Sequence, residues 1–138
     1  CLPCCKDEIE VQAPPGHTVG WVKQVYDGCH VNYTVKDASG LTVLRIVGPH
    51  FCHCQCIGDD VKFYIKTAEK TTDIGLITKQ WTGLAHELFT DADNFGIQFP
   101  MDLDVKVKAS LLGAVFLIVS SSFSFICFGL CLCSSVSR

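Results

Sequence analysis

The sequence predicts a mainly β protein that ends in one hydrophobic helix, and three features of the chain lead to this fold class. Short segments with a strand-like pattern recur about every ten residues and are separated by turn signals such as Asp27-Gly28 and Gly48-Pro49. An uncharged stretch then runs through residues 109–137. An acidic segment, residues 91–102 with the sequence D-A-D-N-F-G-I-Q-F-P-M-D, lies a few residues before that stretch.

The predicted strands lie mostly in the first eighty residues. Residues 7–13 alternate loosely between polar and apolar side chains until Pro14-Pro15-Gly16 ends the pattern. The other predicted strands are residues 19–26, 31–36, 41–47, 61–66 and 73–78. This spacing of short strands is typical of an antiparallel sheet, sandwich or barrel.

Three further segments complete the reading of the first 108 residues as one β-rich domain. Cys52, Cys54 and Cys56 alternate as they would along one face of a strand. Residues 81–90 predict a short helix or turn, and residues 99–108 predict an extended segment in which apolar residues alternate with charged ones.

The predicted helix covers residues 109–133, followed by a short tail at 134–138. As a helix it would be ~37 Å long, whereas a bilayer core needs about 30 Å. Two placements stay open, a transmembrane helix or a helix buried inside a β-barrel, because apolarity on all sides suits both. Lys106 and Lys108 precede the helix, so the positive-inside rule favours a single span with a cytosolic N-terminal body.

Composition narrows the classes of partner and compartment. The formal net charge is -3, with acids and bases interspersed, so nucleic acid is not an expected partner. The ten cysteines are spaced poorly for pairing with one another, since alternating residues on one strand are about 6–7 Å apart at Cα. We interpret them as reduced thiols on the cytosolic side of a membrane.

The acidic segment matches part of the twelve-position calcium loop. Asp91 falls on the first ligand position, Asp93 on the third and Asp102 on the twelfth. Ile97 falls on the seventh position, and Gly96 falls on the turn glycine. Phe95 occupies the fifth position, and Asp replaces Glu at the twelfth. The pattern therefore predicts weak calcium binding, roughly 10⁻⁴–10⁻³ M, with a solvated turn as the alternative.

A zinc site is the weaker alternative for a metal. Cysteine and histidine are the ligands that zinc prefers, and they are concentrated in His50, Cys52, His53, Cys54 and Cys56. A zinc site usually also needs a second, distant pair of ligands, to which Cys29-His30 could contribute. Phosphate-binding, G-x-S-x-G and H-E-x-x-H motifs are absent from the sequence, so we expect no enzyme of covalent chemistry.

Several segments resemble the phospholipid scramblase family. They are Trp81-Thr82-Gly83, the run of residues 89–109 that contains the acidic segment, C-L-P-C-C at the start with the following E-I-E-V-Q-A-P-P-G, and the Cys-rich segment after Gly48-Pro49. The resemblance covers roughly residues 1–118, and the C-terminal end diverges. It implies a tubby-like fold, a closed antiparallel barrel around a C-terminal hydrophobic helix, of which this chain supplies the later half.

The resemblance also implies a function and its residues. The function is calcium-activated, ATP-independent, bidirectional movement of phospholipids between membrane leaflets, at the plasma membrane. The implied calcium ligands are Asp91, Asp93, Phe95, Ile97 and Asp102, and the implied acylation sites are Cys1, Cys4 and Cys5. A nuclear import segment is implied at Gly75, Lys79, Trp81 and Leu84, which predicts a nuclear pool when the chain is not acylated.

A second hypothesis is an acylated, membrane-tethered or nuclear-shuttling adaptor without transport of its own. The partners expected under both hypotheses are membrane phospholipids first, then a second copy of the chain or signalling proteins. Calcium-stimulated lipid movement in reconstituted vesicles separates the two.

Overall fold

The computed structural model describes residues 7–27, 30–50, 60–80 and 94–135, with the side chains of Tyr26, His50 and residues 121–135 excepted. In these ranges it contains seven strands and one long helix. The strands are β1 Glu8–Gln12, β2 Thr18–Asp27, β3 His30–Asp37, β4 Thr42–His50, β5 Val61–Thr67, β6 Asp73–Gln80 and β7 Asn94–Gln98, and the helix is α1 Val105–Ser135.

The strands form one antiparallel sheet in which each strand pairs with the next along the chain. The sheet curves into a half-barrel, which confirms the predicted mainly β class with a C-terminal hydrophobic helix. The six strands predicted before residue 80 are all present with bounds within a few residues of those expected. Consecutive pairing agrees with the short turns between most of them, since antiparallel neighbours need only a hairpin connection.

The inner face of the sheet carries the core. Val35 lies opposite Val22 on β2 and Leu44 on β4. Ile46 lies opposite Tyr33 on β3 and Ile65 on β5, so two neighbouring buried apolar rows together span four strands. Tyr33 and Phe63 add an edge-to-face aromatic contact with ring centroids 6.3 Å apart. Side chains on a strand alternate between faces, which explains why every second residue of these strands belongs to the core.

The first half of α1 closes this core from the inside of the half-barrel. The helix contacts β1, β2 and β3. Leu111, Ala114 and Ile118 are fully buried and belong to the same apolar cluster as the inner sheet face. Their spacing of three and four residues places them on one side of the helix.

Two glycines let the helix approach the sheet closely. A Cβ atom at Gly20 would lie 2.5 Å from the Ser110 Oγ atom and 2.6 Å from the Lys36 carbonyl oxygen. A Cβ atom at Gly113 would lie 2.5 Å from the Val11 side chain. Larger residues would therefore separate α1 from β1 and β2.

The prediction of an extended segment at residues 99–108 is wrong in its second half, because α1 begins at Val105. The residues that pack on the core here are four positions apart, which is a helical period: Leu103, Val107 and Leu111. Over so short a stretch, residues four apart also fit an alternating strand pattern. Asp104 caps the helix, since its Oδ1 atom accepts a hydrogen bond from the Lys106 amide at 3.3 Å. The helix thus starts four residues before the predicted 109–133 and continues to Ser135.

Two further predictions lie outside the described residues. These are the short helix or turn at 81–90 and the strand-like alternation of Cys52, Cys54 and Cys56.

Candidate cation site and the C-terminal helix

The middle of the acidic segment is a strand. Asn94–Gln98 forms β7 and pairs with β6, with Gly96 opposite Thr78 and Ile97 opposite Ile77. The expectation of a turn at Gly96 is therefore wrong. The physical reason is that Phe95 and Ile97, two residues apart, place both side chains against the apolar core, which only an extended backbone allows.

The described part of the candidate calcium site consists of oxygen donors on and just beyond β7. The carbonyl groups of Phe95 and Ile97 point to the same side of the strand, because they are two residues apart. Asp102 is exposed and lies four residues past the end of β7. Carboxylate and carbonyl oxygens are the ligands that calcium prefers, so the chemistry of these donors fits that ion.

The other two predicted ligands, Asp91 and Asp93, lie outside the described residues. Within 7–27, 30–50, 60–80 and 94–135, no three His, Cys, Asp or Glu side chains are grouped so that they could hold a metal ion. The calcium site therefore stays a prediction that depends on how the segment before Asn94 approaches Asp102.

Residues 99–104, here called the connector, join β7 to α1 and are tied to the helix. The Lys108 Nζ atom donates a hydrogen bond to the Met101 carbonyl oxygen at 2.6 Å. The same Nζ atom lies 5.8 Å from the centroid of the Phe99 ring, within the range of a cation–π contact. Asp102 follows Met101 directly, so a change in charge at Asp102 acts next to a residue held by the second turn of α1.

Reasoning from the sequence did not identify Lys108 as a site residue and used it for membrane topology and as a charged residue of the predicted extended segment. The available signal was its position one turn inside a helix whose preceding connector contains an aromatic residue and two aspartates. A lysine there can reach back along the helix to the connector.

The helix carries a second apolar face that points away from the sheet. Val105, Leu112 and Phe116 are 77%, 52% and 74% exposed. Their spacing of seven and four residues places them on one side of α1, opposite the buried residues such as Ala114. We call these three residues the exposed stripe. In the portion of α1 that the structure describes, no stretch reaches the length and apolarity needed to cross a membrane.

The remaining predicted site residues divide between β6 and segments outside the described ranges. Gly75 lies in β6 opposite Ile65, and a Cβ atom there would meet the Gln98 carbonyl oxygen, so this glycine permits close pairing of β6 and β7. Lys79 lies further along β6 opposite Phe95. The import and acylation residues outside the described ranges are Trp81, Leu84, Cys1, Cys4 and Cys5.

For the zinc alternative, two histidines occupy paired backbone positions. His30 and His50 lie opposite each other at the paired ends of β3 and β4. The His30 Nδ1 atom is 3.4 Å from the Gly48 carbonyl oxygen, a contact between ring nitrogen and backbone. The neighbouring cysteines and His53 lie outside the described residues, so the zinc site stays a prediction.

Together, the half-barrel, the helix it holds and the acidic segment leading into that helix define a class of β-rich protein built around a hydrophobic C-terminal helix. The Scramblase family model matches residues 1–125, and the chain belongs to that family. This confirms the resemblance found in the sequence.

Curated relatives support the assignment. The chain is 52% identical over 118 residues to human phospholipid scramblase 1 and 52% identical over 118 residues to bovine phospholipid scramblase 2, in each case across 86% of this chain. It is 48% identical over 115 residues, 83% of this chain, to human phospholipid scramblase family member 5. The matches cover 36%, 40% and 42% of those relatives, so the chain spans well under half of their length. No solved structure matches the chain.

Proposed function

We propose that this chain takes part in calcium-activated, ATP-independent, bidirectional movement of phospholipids between membrane leaflets. Family membership and relatives named as phospholipid scramblases support this proposal. The chain spans well under half the length of those relatives, so we propose that it contributes to the activity as one part of such a protein.

The observation that carries the proposal is the position of Asp102 in the connector. Bound calcium would supply positive charge to offset the carboxylates of Asp91, Asp93 and Asp102. The chain's own residues define where that charge acts. Met101 and Phe99 belong to the same connector as Asp102 and contact Lys108. A change in the charge of Asp102 would therefore act beside the contacts that hold the connector to the start of α1.

The exposed stripe supports contact of α1 with lipid. Lipid acyl chains would cover Val105, Leu112 and Phe116. The helix then continues to Ser135 with no charged residue after Lys108. Ser120 donates a hydrogen bond back to the Phe116 carbonyl oxygen at 2.8 Å, and Ser110 does so to Lys106 at 3.1 Å. Such hydroxyl groups are satisfied within the helix and are tolerated beside lipid.

Localisation is proposed on the same basis. The family supports association with membranes. We propose the plasma membrane, one crossing by residues 109–133 with the β-rich body in the cytosol, and acylation of Cys1, Cys4 and Cys5 as further attachment. We also propose that the chain binds signalling proteins or a second copy of itself, and that a nuclear pool exists when it is not acylated.

The proposal is tested with the full chain reconstituted in vesicles that carry a fluorescent phospholipid, by quenching from outside with and without calcium. We expect calcium to stimulate lipid movement without ATP. Asp102→Asn should raise the calcium concentration needed for half-maximal movement by about tenfold, since losing one charged ligand costs at least ~1.4 kcal/mol of binding. Magnesium should not substitute for calcium, because it demands a tighter octahedral site.

Asp7→Asn is the matched control, since Asp7 is an exposed aspartate just before β1, which lies at the opposite edge of the sheet from β7, and its replacement should leave the calcium response unchanged. Equal effects of the two substitutions would show that calcium acts elsewhere. An inserted chain that moves no lipid at millimolar calcium would favour the adaptor.

A further inference from the structure

A small cavity lies on the face of the sheet that points away from α1. Its volume is about 190 Å³, and it is lined by Val25, Asp27, Asn32, Tyr33, Thr34, Arg45, Val47 and Lys70. Asn32 and Thr34 alternate along β3 with the core residues Tyr33 and Val35, so their side chains belong to the outer face. The sheet register places Val25 and Val47 on either side of Asn32 and places Arg45 beside Thr34.

Asn32 lines the cavity and has a buried hydrogen-bonding atom without a partner among the described residues. It is only 8% exposed, and its Oδ1 atom has no hydrogen-bond partner among the described residues. Buried polar groups are nearly always paired, so such an orphan atom points to a missing partner. Rotation of the carboxamide can offer either its oxygen or its NH₂ group to a ligand in the cavity.

The charged residues of the cavity are of both signs. Arg45 is half-buried, and its Nε atom donates to the Ala68 carbonyl oxygen at 2.8 Å, which holds the guanidinium at the wall. The Lys70 Nζ atom lies 3.5 Å from the Asp27 Oδ2 atom, and both side chains are substantially exposed. The cavity therefore has two cationic side chains, one carboxylate and the neutral carboxamide of Asn32. This combination suits a ligand that carries one negative and one positive group.

We propose that this cavity binds a small zwitterion with a phosphate group and a primary ammonium group. The phosphate meets Arg45 and Lys70, for which guanidinium and ammonium groups are suited. The ammonium group donates hydrogen bonds to Asp27 and Asn32. The cavity is smaller than the roughly 300–1,000 Å³ of drug-sized pockets, which limits the ligand to a headgroup-sized molecule.

Two sources share this chemistry, an ethanolamine- or serine-type lipid headgroup and a free phosphoamine. The inference goes beyond the proposed function, because binding in the cavity requires neither calcium nor lipid movement. It is therefore tested by binding alone, in calcium-free buffer.

The test follows the side-chain amide signals of Asn32 in the full chain while phosphoethanolamine, phosphocholine or inorganic phosphate is added. Phosphocholine is the matched ligand, because its quaternary ammonium has the same charge but no N–H donor. We expect phosphoethanolamine to shift the Asn32 signals and to bind about tenfold more tightly than the other two, the difference of roughly one charge-assisted hydrogen bond. Lys70→Gln should weaken its binding about tenfold, a change that corresponds to loss of one ion pair with phosphate.

Lys62→Gln is the control, since Lys62 is an exposed lysine of β5 outside the cavity. Lys70 lies in an exposed turn, so its replacement should leave the fold intact. Unchanged amide signals from the rest of the chain would verify this. Equal affinity for phosphoethanolamine and phosphocholine, no binding of either, or equal effects of the two lysine substitutions would overturn the proposal.

Vesicles identify the source of the ligand. Shifts with phosphatidylethanolamine vesicles that are absent with phosphatidylcholine vesicles support a lipid headgroup in the cavity. Binding of soluble phosphoethanolamine without a response to either vesicle supports a free phosphoamine.

Discussion

Replacing Gly20 by alanine is expected to lower the free energy of unfolding by about 1–3 kcal/mol, the range for overpacking a well-packed core. The added methyl group would lie 2.6 Å from the Lys36 carbonyl oxygen and 2.5 Å from the Ser110 Oγ atom. The serine side chain could rotate, but the carbonyl belongs to paired strand β3 and cannot yield without moving the sheet. The helix or strand β2 must therefore shift.

Chemical denaturation followed by circular dichroism measures this effect, with Gly96→Ala as the matched control. Gly96 also lies in a strand, but a Cβ atom there meets nothing within 4 Å, so little destabilisation is expected. Combining Gly20→Ala with Ser110→Ala should restore part of the loss. Equal stability of the two single variants would contradict the close packing of α1 on β2.

The second large effect concerns the exposed stripe. Replacing Leu112 and Phe116 together by serine should weaken partition of the full chain into phospholipid vesicles by roughly a hundredfold. Burying each such apolar side chain is worth about 1.5–3 kcal/mol, and about 1.4 kcal/mol corresponds to tenfold. The core should be unaffected, since both side chains are more than half exposed.

Flotation of the protein with vesicles measures this partition. Leu41→Ser is the control, because Leu41 is 68% exposed next to the turn between β3 and β4 and is not part of the helix. Partition that stays unchanged in the double variant would show that the stripe contacts protein rather than lipid. In that case α1 is a barrel-central helix, the other placement that the sequence leaves open.

Much of the fold could be predicted because hydrophobic alternation and turn residues are local signals. Residues 61–66 alternate clearly between apolar and charged side chains and became β5. The prediction of an extended segment at residues 99–108 failed after residue 104, because Leu103, Val105 and Val107 alternate over a stretch too short to exclude a helix. The final structure depends on Leu111 and Ala114, which continue the helical period into the core.

The acidic segment was only partly predictable for a related reason. Its aspartates suggest a loop, while Phe95 and Ile97 gain more by packing on the core as a strand paired with β6. The cavity on the outer face had no local signal at all. Sheet register and the turn between β5 and β6 bring Arg45 and Lys70 to the same cavity as Asn32, although the three residues are far apart in the sequence.

The central claim is that an ionic change in the acidic segment reaches α1 through the connector. A calcium titration of the isotopically labelled chain, followed by backbone amide signals, tests it most directly. We expect the amides of Asp102, Met101 and Lys108 to shift together over about 10⁻⁴–10⁻³ M calcium. Shifts at Asp102 that leave Lys108 unmoved, or no shifts in this segment at millimolar calcium, would contradict the claim.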